Sequence, residues 1–136
     1  IAFLNEREAL WSKAWLEASV RRNATTPEER LMAIFDVLDT WFRSDNFEGC
    51  SFINVMLESP KGSATRRAAA RHLANGRQMV ADLARQARLV DPDGFSQVWH
   101  MLMKGAIVAA GEGISAAAVD ARRAATMLLD GWARSD

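Results

Sequence analysis

The sequence predicts an all-α fold, a single domain of about six helices, and three observations carry that expectation. Strand signals are missing: there is no sustained alternation, no Asn-Gly or Asp-Gly turn between alternating runs, and no tyrosine. Helix-start signals recur along the chain, each followed by apolar residues at helical spacing. With 136 residues, 49% of them hydrophobic and only three prolines, the chain can bury one core rather than stay disordered.

The elements follow in order. Asn5, with Glu8 three positions on, forms a capping box and opens a first helix through Leu10, Ala14 and Val20 to about Arg22. Thr26-Pro27-Glu28-Glu29 starts the second, with a capping hydroxyl, proline at the first helical position and glutamate at the third. That helix carries Leu31, Ile34, Phe35, Leu38 and Phe42 on one face and stops near Arg43, before the turn residues Ser44-Asp45-Asn46 and Gly49. A short helix is expected from about Ser51 to Ser59, ending ahead of Pro60. Gly62-Ser63 begins a long one to about Ala87, whose stripe of Leu73, Gly76, Val80, Leu83 and Ala87 suits close helix packing. Asp91-Pro92 again pairs a cap with a proline, and Phe95, Val98, Trp99 and Leu102 are expected on one face of the helix it opens. Gly111 to Gly113 ends that helix, and Ser115 is expected to cap a last one to about Asp130. No internal repeat or long linker divides residues 1–136.

Charge and cysteine usage narrow the function. Lys plus Arg and Asp plus Glu are both 17, so the chain has no net charge. A domain holding nucleic acid by itself needs a basic excess to neutralise phosphates. The basic clusters Arg21-Arg22, Arg66-Arg67 with Arg71, and Arg122-Arg123 alternate with alanines or acids and read as solvated helix faces. A single cysteine, Cys50, cannot form an internal disulfide, no apolar run reaches the roughly 18 residues of a membrane span, and no signal peptide is seen. A cytoplasmic location is therefore expected. Ile1 stands first without an initiator methionine, and a lost upstream segment is expected.

Catalytic and metal chemistry lacks its residue patterns. His72 and His100 are preceded three positions earlier by Ala69 and Gln97, not by the glutamates of a di-iron bundle, and neither has a cysteine nearby. No nucleophile elbow or phosphate-binding glycine pattern is present. No enzyme activity, cofactor or metal is expected. Cys50, beside Glu48 and without a neighbouring cation, reads as a buried structural residue rather than a redox sensor.

A small-molecule cavity fits the composition better. Phe35, Leu38, Trp41 and Phe42 come from the second helix, and Phe52 and Met56 from the short one. Met79 and Leu83 come from the long helix, and Trp99 and Met103 from the penultimate helix. Such aromatic and methionine side chains either fill a solid core or line an adaptable pocket. His100 beside Trp99 could donate a hydrogen bond to a ligand or be an ordinary partly buried histidine. Asn54 and Glu58 are polar on an otherwise apolar helix, and two roles stay open for them, capping a neighbouring helix or holding a ligand. Five tryptophans, no tyrosine and no internal cationic cluster point to a mainly apolar ligand.

The last two helices are rich in small residues, among them Gly105, Ala106, Ala109, Ala110 and Ala125. Small side chains let helix axes approach to about 8 Å. They can serve internal packing, or pair with the same two helices of a second copy.

Gly49-Cys50, Phe52, Asn54 and Glu58 resemble, at their spacings, the loop-to-helix step in the C-terminal domain of TetR-type transcriptional repressors. Leu102, Gly105-Ala106 and Ala109 resemble the family's Leu-x-x-Gly-Ala pattern, with Lys104 where an aspartate is common. Asn5, Arg7, Glu8 and Leu10 are similar to the junction after its recognition helix, with Glu6 as one extra residue. The resemblance spans nearly the whole chain, with specific motifs in these short stretches. It implies an effector-binding and dimerisation domain, with residues 1–22 as the connector from a missing helix-turn-helix. It further implies a homodimer through the last two helices, using Leu102, Gly105, Ala106, Ala109 and Ala110 of one and Val119, Arg122, Ala125 and Leu129 of the other. Operator DNA would be bound only through the missing domain, under control of a small apolar effector. The alternative is a helical adaptor bundle that binds a protein partner and no small molecule.

Overall fold

The computed structural model describes residues 16–45 and 47–136, and these form six α-helices. In order they are α1 (Glu17–Asn23), α2 (Pro27–Phe42), α3 (Ser51–Glu58), α4 (Ala64–Gln86), α5 (Pro92–Gly111) and α6 (Ala117–Gly131). The expected helix start at Asn5 and the junction residues up to Leu10 lie outside the described residues.

Three of the six helices carry a side-chain cap at the start. The Thr26 hydroxyl accepts the Glu29 N–H at 3.1 Å, and Pro27 fills the first helical position, where no N–H is needed. Ser63 caps α4 through the Arg66 N–H at 3.1 Å, and Asp91 caps α5 through the Gly94 N–H at 3.1 Å. The last helix departs from expectation. It starts at Ala117 with Ala116 in the cap position and no capping side chain, so Ser115 does not serve there. The tight turn made by Ile114 N–H to Ala109 O and Ala117 N–H to Ile114 O sets the entry angle instead.

Helix α2 is the centre of the bundle. It packs against α1, α4, α5 and α6, while α4 also carries α3 on one side and α5 on the other. Leu31, Ile34, Phe35 and Leu38 of α2 are fully buried, as their spacing predicts. Of the expected stripe of α4, Leu73, Val80, Leu83 and Ala87 are buried and Gly76 is half-buried, and Ala68, Ala69 and Ala84 widen it. On α5, Phe95 and Trp99 are completely buried, but Val98 is turned outward. A residue one position before Trp99 lies about 100° around the helix, which carries Val98 past the edge of the apolar stripe.

The chain end closes the fold. Arg88 (φ 64°) ends α4 in the left-handed conformation, with Leu89 N–H on Ala84 O and Arg88 N–H on Arg85 O, a Schellman arrangement. The segment after α6 then lies along this corner. Leu89 and Arg134 form an isolated antiparallel bridge, Val90 N–H reaches Ala133 O, and Ser135 N–H reaches Arg88 O. No helix among the described residues is long and apolar enough to cross a membrane.

Candidate functional site

At the heart of the bundle is a chain of rings. Phe35 meets Trp99 edge-on at 5.4 Å, Trp99 stacks on Phe95 at 5.2 Å, and Phe95 meets Trp132 edge-on at 5.2 Å. These are the offset and T-shaped geometries that ring quadrupoles favour. The Trp132 indole N–H is satisfied by the Val90 carbonyl at 2.6 Å. The Trp99 indole nitrogen is buried without a hydrogen-bond partner, as is Nδ1 of the next residue, His100. A buried unpaired polar group costs about 1–3 kcal/mol, so each is a place where an acceptor or donor would be stabilising.

His100 faces α4. A Cβ placed on Gly76 would stand 3.6 Å from His100 Nε2, so the missing side chain of Gly76 makes room for the imidazole. Burial, and then the charges of Lys104 and Arg77, push the His100 imidazole down to about 4. It is therefore neutral near pH 7, one nitrogen carrying hydrogen and the other free to accept.

The expected ligand residues divide into three groups. Phe35, Leu38, Phe52, Leu83, Trp99, His100 and Met103 are buried. Trp41, Phe42, Met56 and Met79 are half-buried around them, with Trp41 and Phe42 gathered on Phe47 at 4.8 and 5.0 Å. Asn54 and Glu58 are exposed. Helix α3 is only two turns long and buries Phe52 and Ile53, leaving the side of Asn54 and Glu58 to solvent. Asn54 nevertheless borders a cleft of about 500 Å3, together with Phe47, Gly49, Cys50, Ile53, Ile107 and Val108. A smaller cavity of about 110 Å3 between α1, α2 and α4 takes in Met79 and Leu83 with Val20, Arg30 and Asp82.

Several of these lining residues carry sequence signals. Gly49 (φ 86°) adopts the left-handed conformation that its turn demands. Phe47 is an aromatic residue in a loop, which a helix-by-helix reading passes over. Cys50 is buried, and burial raises its thiol, partly opposed by the nearby N–H groups of Ile53 and Phe52; it has the character of a structural residue. His72 is half-buried and stacked on Phe52 at 5.2 Å.

The outward face of α5 and α6 is apolar. Met101, Val108, Ile114, Val119 and Met127 are exposed, and Met101, Leu102, Gly105, Ala109 and Ala121 line a shallow trough of about 350 Å3 between the helices. Of the residues expected on a dimer face, Leu102, Gly105 and Ala109 line this trough, and Val119 is exposed elsewhere on α6. Ala110 stands at the rim of the 500 Å3 cleft. Ala106 is buried although it borders the trough, and Ala125 and Leu129 are buried in the chain's own core. Arg122 pairs with Asp36 of α2 at 3.2 Å. Arg122 therefore lies on the side of α6 that meets α2, beside the buried Ala125 and Leu129.

Among the described residues, no group of three or more His, Cys, Asp or Glu side chains is placed to hold a metal ion. No protein-family model matches the sequence, and no curated protein matches it. Solved structures do. A TetR-family transcriptional regulator of Streptomyces coelicolor superposes with a TM-score of 0.83 at 21% identity, over 95% of this chain and 68% of its own. A protein of Streptomyces avermitilis described as a TetR-type transcriptional regulator gives 0.81 at 22% identity, over 97% of this chain and 72% of its own. The chain thus has the all-α architecture found in the larger part of both regulators, a TetR-like fold.

Proposed function

We propose that this chain is the ligand-sensing and dimerisation domain of a TetR-like transcriptional regulator. The observation that most supports the reading is the fold likeness, which runs through 95% of the chain. Fold alone does not give function, but two features of this chain agree with it. The Trp99 indole is an unpaired donor within an aromatic core, the arrangement that orients a mainly apolar ligand bearing one acceptor. The apolar face of α5 and α6 offers a surface for a second copy.

In this reading operator DNA is held by a helix-turn-helix domain that precedes α1 in the chain. Helix α1 packs on α2, Arg30 of α2 donates to the Ala24 carbonyl at 3.3 Å, and the 110 Å3 cavity lies between α1 and α4. A ligand that spreads α4 from α2 would therefore shift α1 and change the spacing of two DNA-binding heads, which must match half-sites about 34–36 Å apart.

The test is operator binding by the full-length protein, measured by fluorescence anisotropy with and without candidate effectors. A coupling of about 1–3 kcal/mol predicts an affinity change of roughly 5- to 150-fold. Absence of operator binding, or equal affinity with a ligand shown to bind, would overturn the proposal. The rival adaptor reading shares the exposed face but requires a different protein on it; self-association of the purified chain separates the two.

A further inference from the structure

Two half-buried cations meet at the seam of α4 and α5 without a counter-ion. The helices touch where Gly76 meets His100, which sets Arg77 at the level of the imidazole. Lys104 follows His100 by four positions and so lies on the same face of α5, one turn on. Arg77 and Lys104 are both half-buried, whereas Arg67, Arg71, Arg85, Arg88 and Arg123 are exposed. Among the described residues neither forms an ion pair, whereas Asp82 and Asp93 both pair with Arg85. Asp93, the acid bordering the adjacent groove, is exposed and turned to Arg85 at 3.7 Å. Burial and the charge of Arg77 lower Lys104, and burial followed by both cations lowers His100. Beneath them His100 is 95% buried, with Nδ1 unpartnered. Beside Arg77 a groove of about 440 Å3 is also lined by Asn75, Gln78, Ser96 and Gln97, with the Ser96 hydroxyl given to the Asp93 carbonyl and one Gln78 N–H to Asp82.

We propose that Arg77 and Lys104, with the His100 imidazole beneath them, hold the carboxylate or phosphate group of a small ligand at the α4–α5 seam. An anion there turns a like-charge repulsion into two charge-assisted contacts, and the planar Arg77 guanidinium can grip two of its oxygens. The imidazole supplies a further N–H, and its proton is held more firmly once the anion is bound. Within the sensing-domain reading this makes the effector an amphipathic acid, apolar in body and anionic at one end. The anion site itself is tested on the chain alone and does not depend on that reading.

The measurement is nuclear magnetic resonance of the histidine side chains in the full chain at pH 6 and constant ionic strength. Octanoate, its uncharged match octanol, acetate and inorganic phosphate serve as probes. His72 and His100 are the two histidines, and a His72→Gln variant assigns their signals. Octanoate or phosphate should move the His100 signals saturably and octanol should not. Acetate binding as tightly as octanoate would place the whole recognition on the anion, whereas phosphate preferred over both carboxylates would identify a phosphate-bearing ligand. Lys104→Gln and Arg77→Gln should each weaken the bound anion by about tenfold or more, the loss of one charged contact, with circular dichroism unchanged. Absence of a saturable shift with any anion, an equal shift with octanol, or unchanged affinity in both variants would overturn the site. Operator binding by the full-length protein is read separately, so failure of the sensing reading leaves these outcomes intact.

Discussion

Arg88 carries a full side chain at φ 64°, where an L-residue places its Cβ against its own carbonyl. The conformation costs about 1 kcal/mol or more, and glycine escapes most of it. Arg88→Gly should therefore raise stability by up to about 1 kcal/mol in urea unfolding, because the Schellman hydrogen bonds use only backbone atoms. A fall in stability would mean the side chain holds the corner. His100 gives a second prediction with a definite sign. Its folded-state value is depressed to about 4 from an ordinary 6.5, so between these the unfolded chain binds more protons. Stability is then complete above about pH 6.5 and falls as the pH drops toward 4, by up to the order of 3 kcal/mol. The charged groups that face the imidazole are Arg77 and Lys104. A His100→Gln variant should flatten the slope relative to the parent chain, and an equal slope would assign it to carboxylates. At this scale the sequence was partly legible. His100 beside Trp99 stood out as a polar residue on an inner helix. The left-handed Arg88 did not, because nothing in Gln86-Ala87-Arg88-Leu89 carries the glycine that usually marks such an end.

Elements were the most legible level, and the reason is local. Thr26, Ser63 and Asp91 each satisfy the N–H three residues on, so their effect depends on adjacent sequence alone. Ser115 failed because Ile114 already closes the turn through backbone bonds, and the helix starts two residues later. The segment following α6 was not legible either, since its contacts span more than 40 positions: Trp132 to Val90, Ser135 to Arg88, and Arg134 to Glu28 at 2.8 Å. The hydrogen bond from Arg134 is the main cause that holds the Glu28 carboxyl below its usual range. That pair is partly exposed, so Arg134→Ala should cost less than about 1 kcal/mol through the ion pair. Trp132 is different, because its ring packs on Phe95 and its N–H is used. Trp132→Ala should cost about 3 kcal/mol, and hydrogen exchange should rise at Leu89 and Val90 before α5 opens. Uniform loss of protection across the chain would show that the terminal segment is not a separate unit.

At the scale of the whole molecule, the fold class came from periodicity and caps, while the outer surface of α6 could not be oriented from them. Alanines sit on both sides of that helix, and a stripe of small residues has no hydrophobic contrast from which to set its rotation. The structure supplies the contrast, placing Arg122 against Asp36 and Ala125 inside, with Val119 and Met127 outside. It also separates folding from assembly. A Cβ on Gly105 would meet nothing within 4 Å, and Met101 is exposed on the same face, so substitutions there leave the chain's own packing intact. Gly in a helix interior is unfavourable by roughly 1 kcal/mol relative to Ala, so Gly105→Ala should stabilise an isolated chain by about that amount. Gly105→Glu should also fold, but it would bury a carboxylate wherever two copies bring α5 and α6 together, a loss of about 3 kcal/mol or more for each unpaired charge. Sedimentation equilibrium should therefore find a dimer for the parent chain and a monomer of unchanged helicity for Gly105→Glu. A dimer that survives Gly105→Glu would move the interface away from this trough. A parent chain that stays monomeric at high concentration would leave Met101 and its neighbours for a different protein, and the adaptor reading would take precedence.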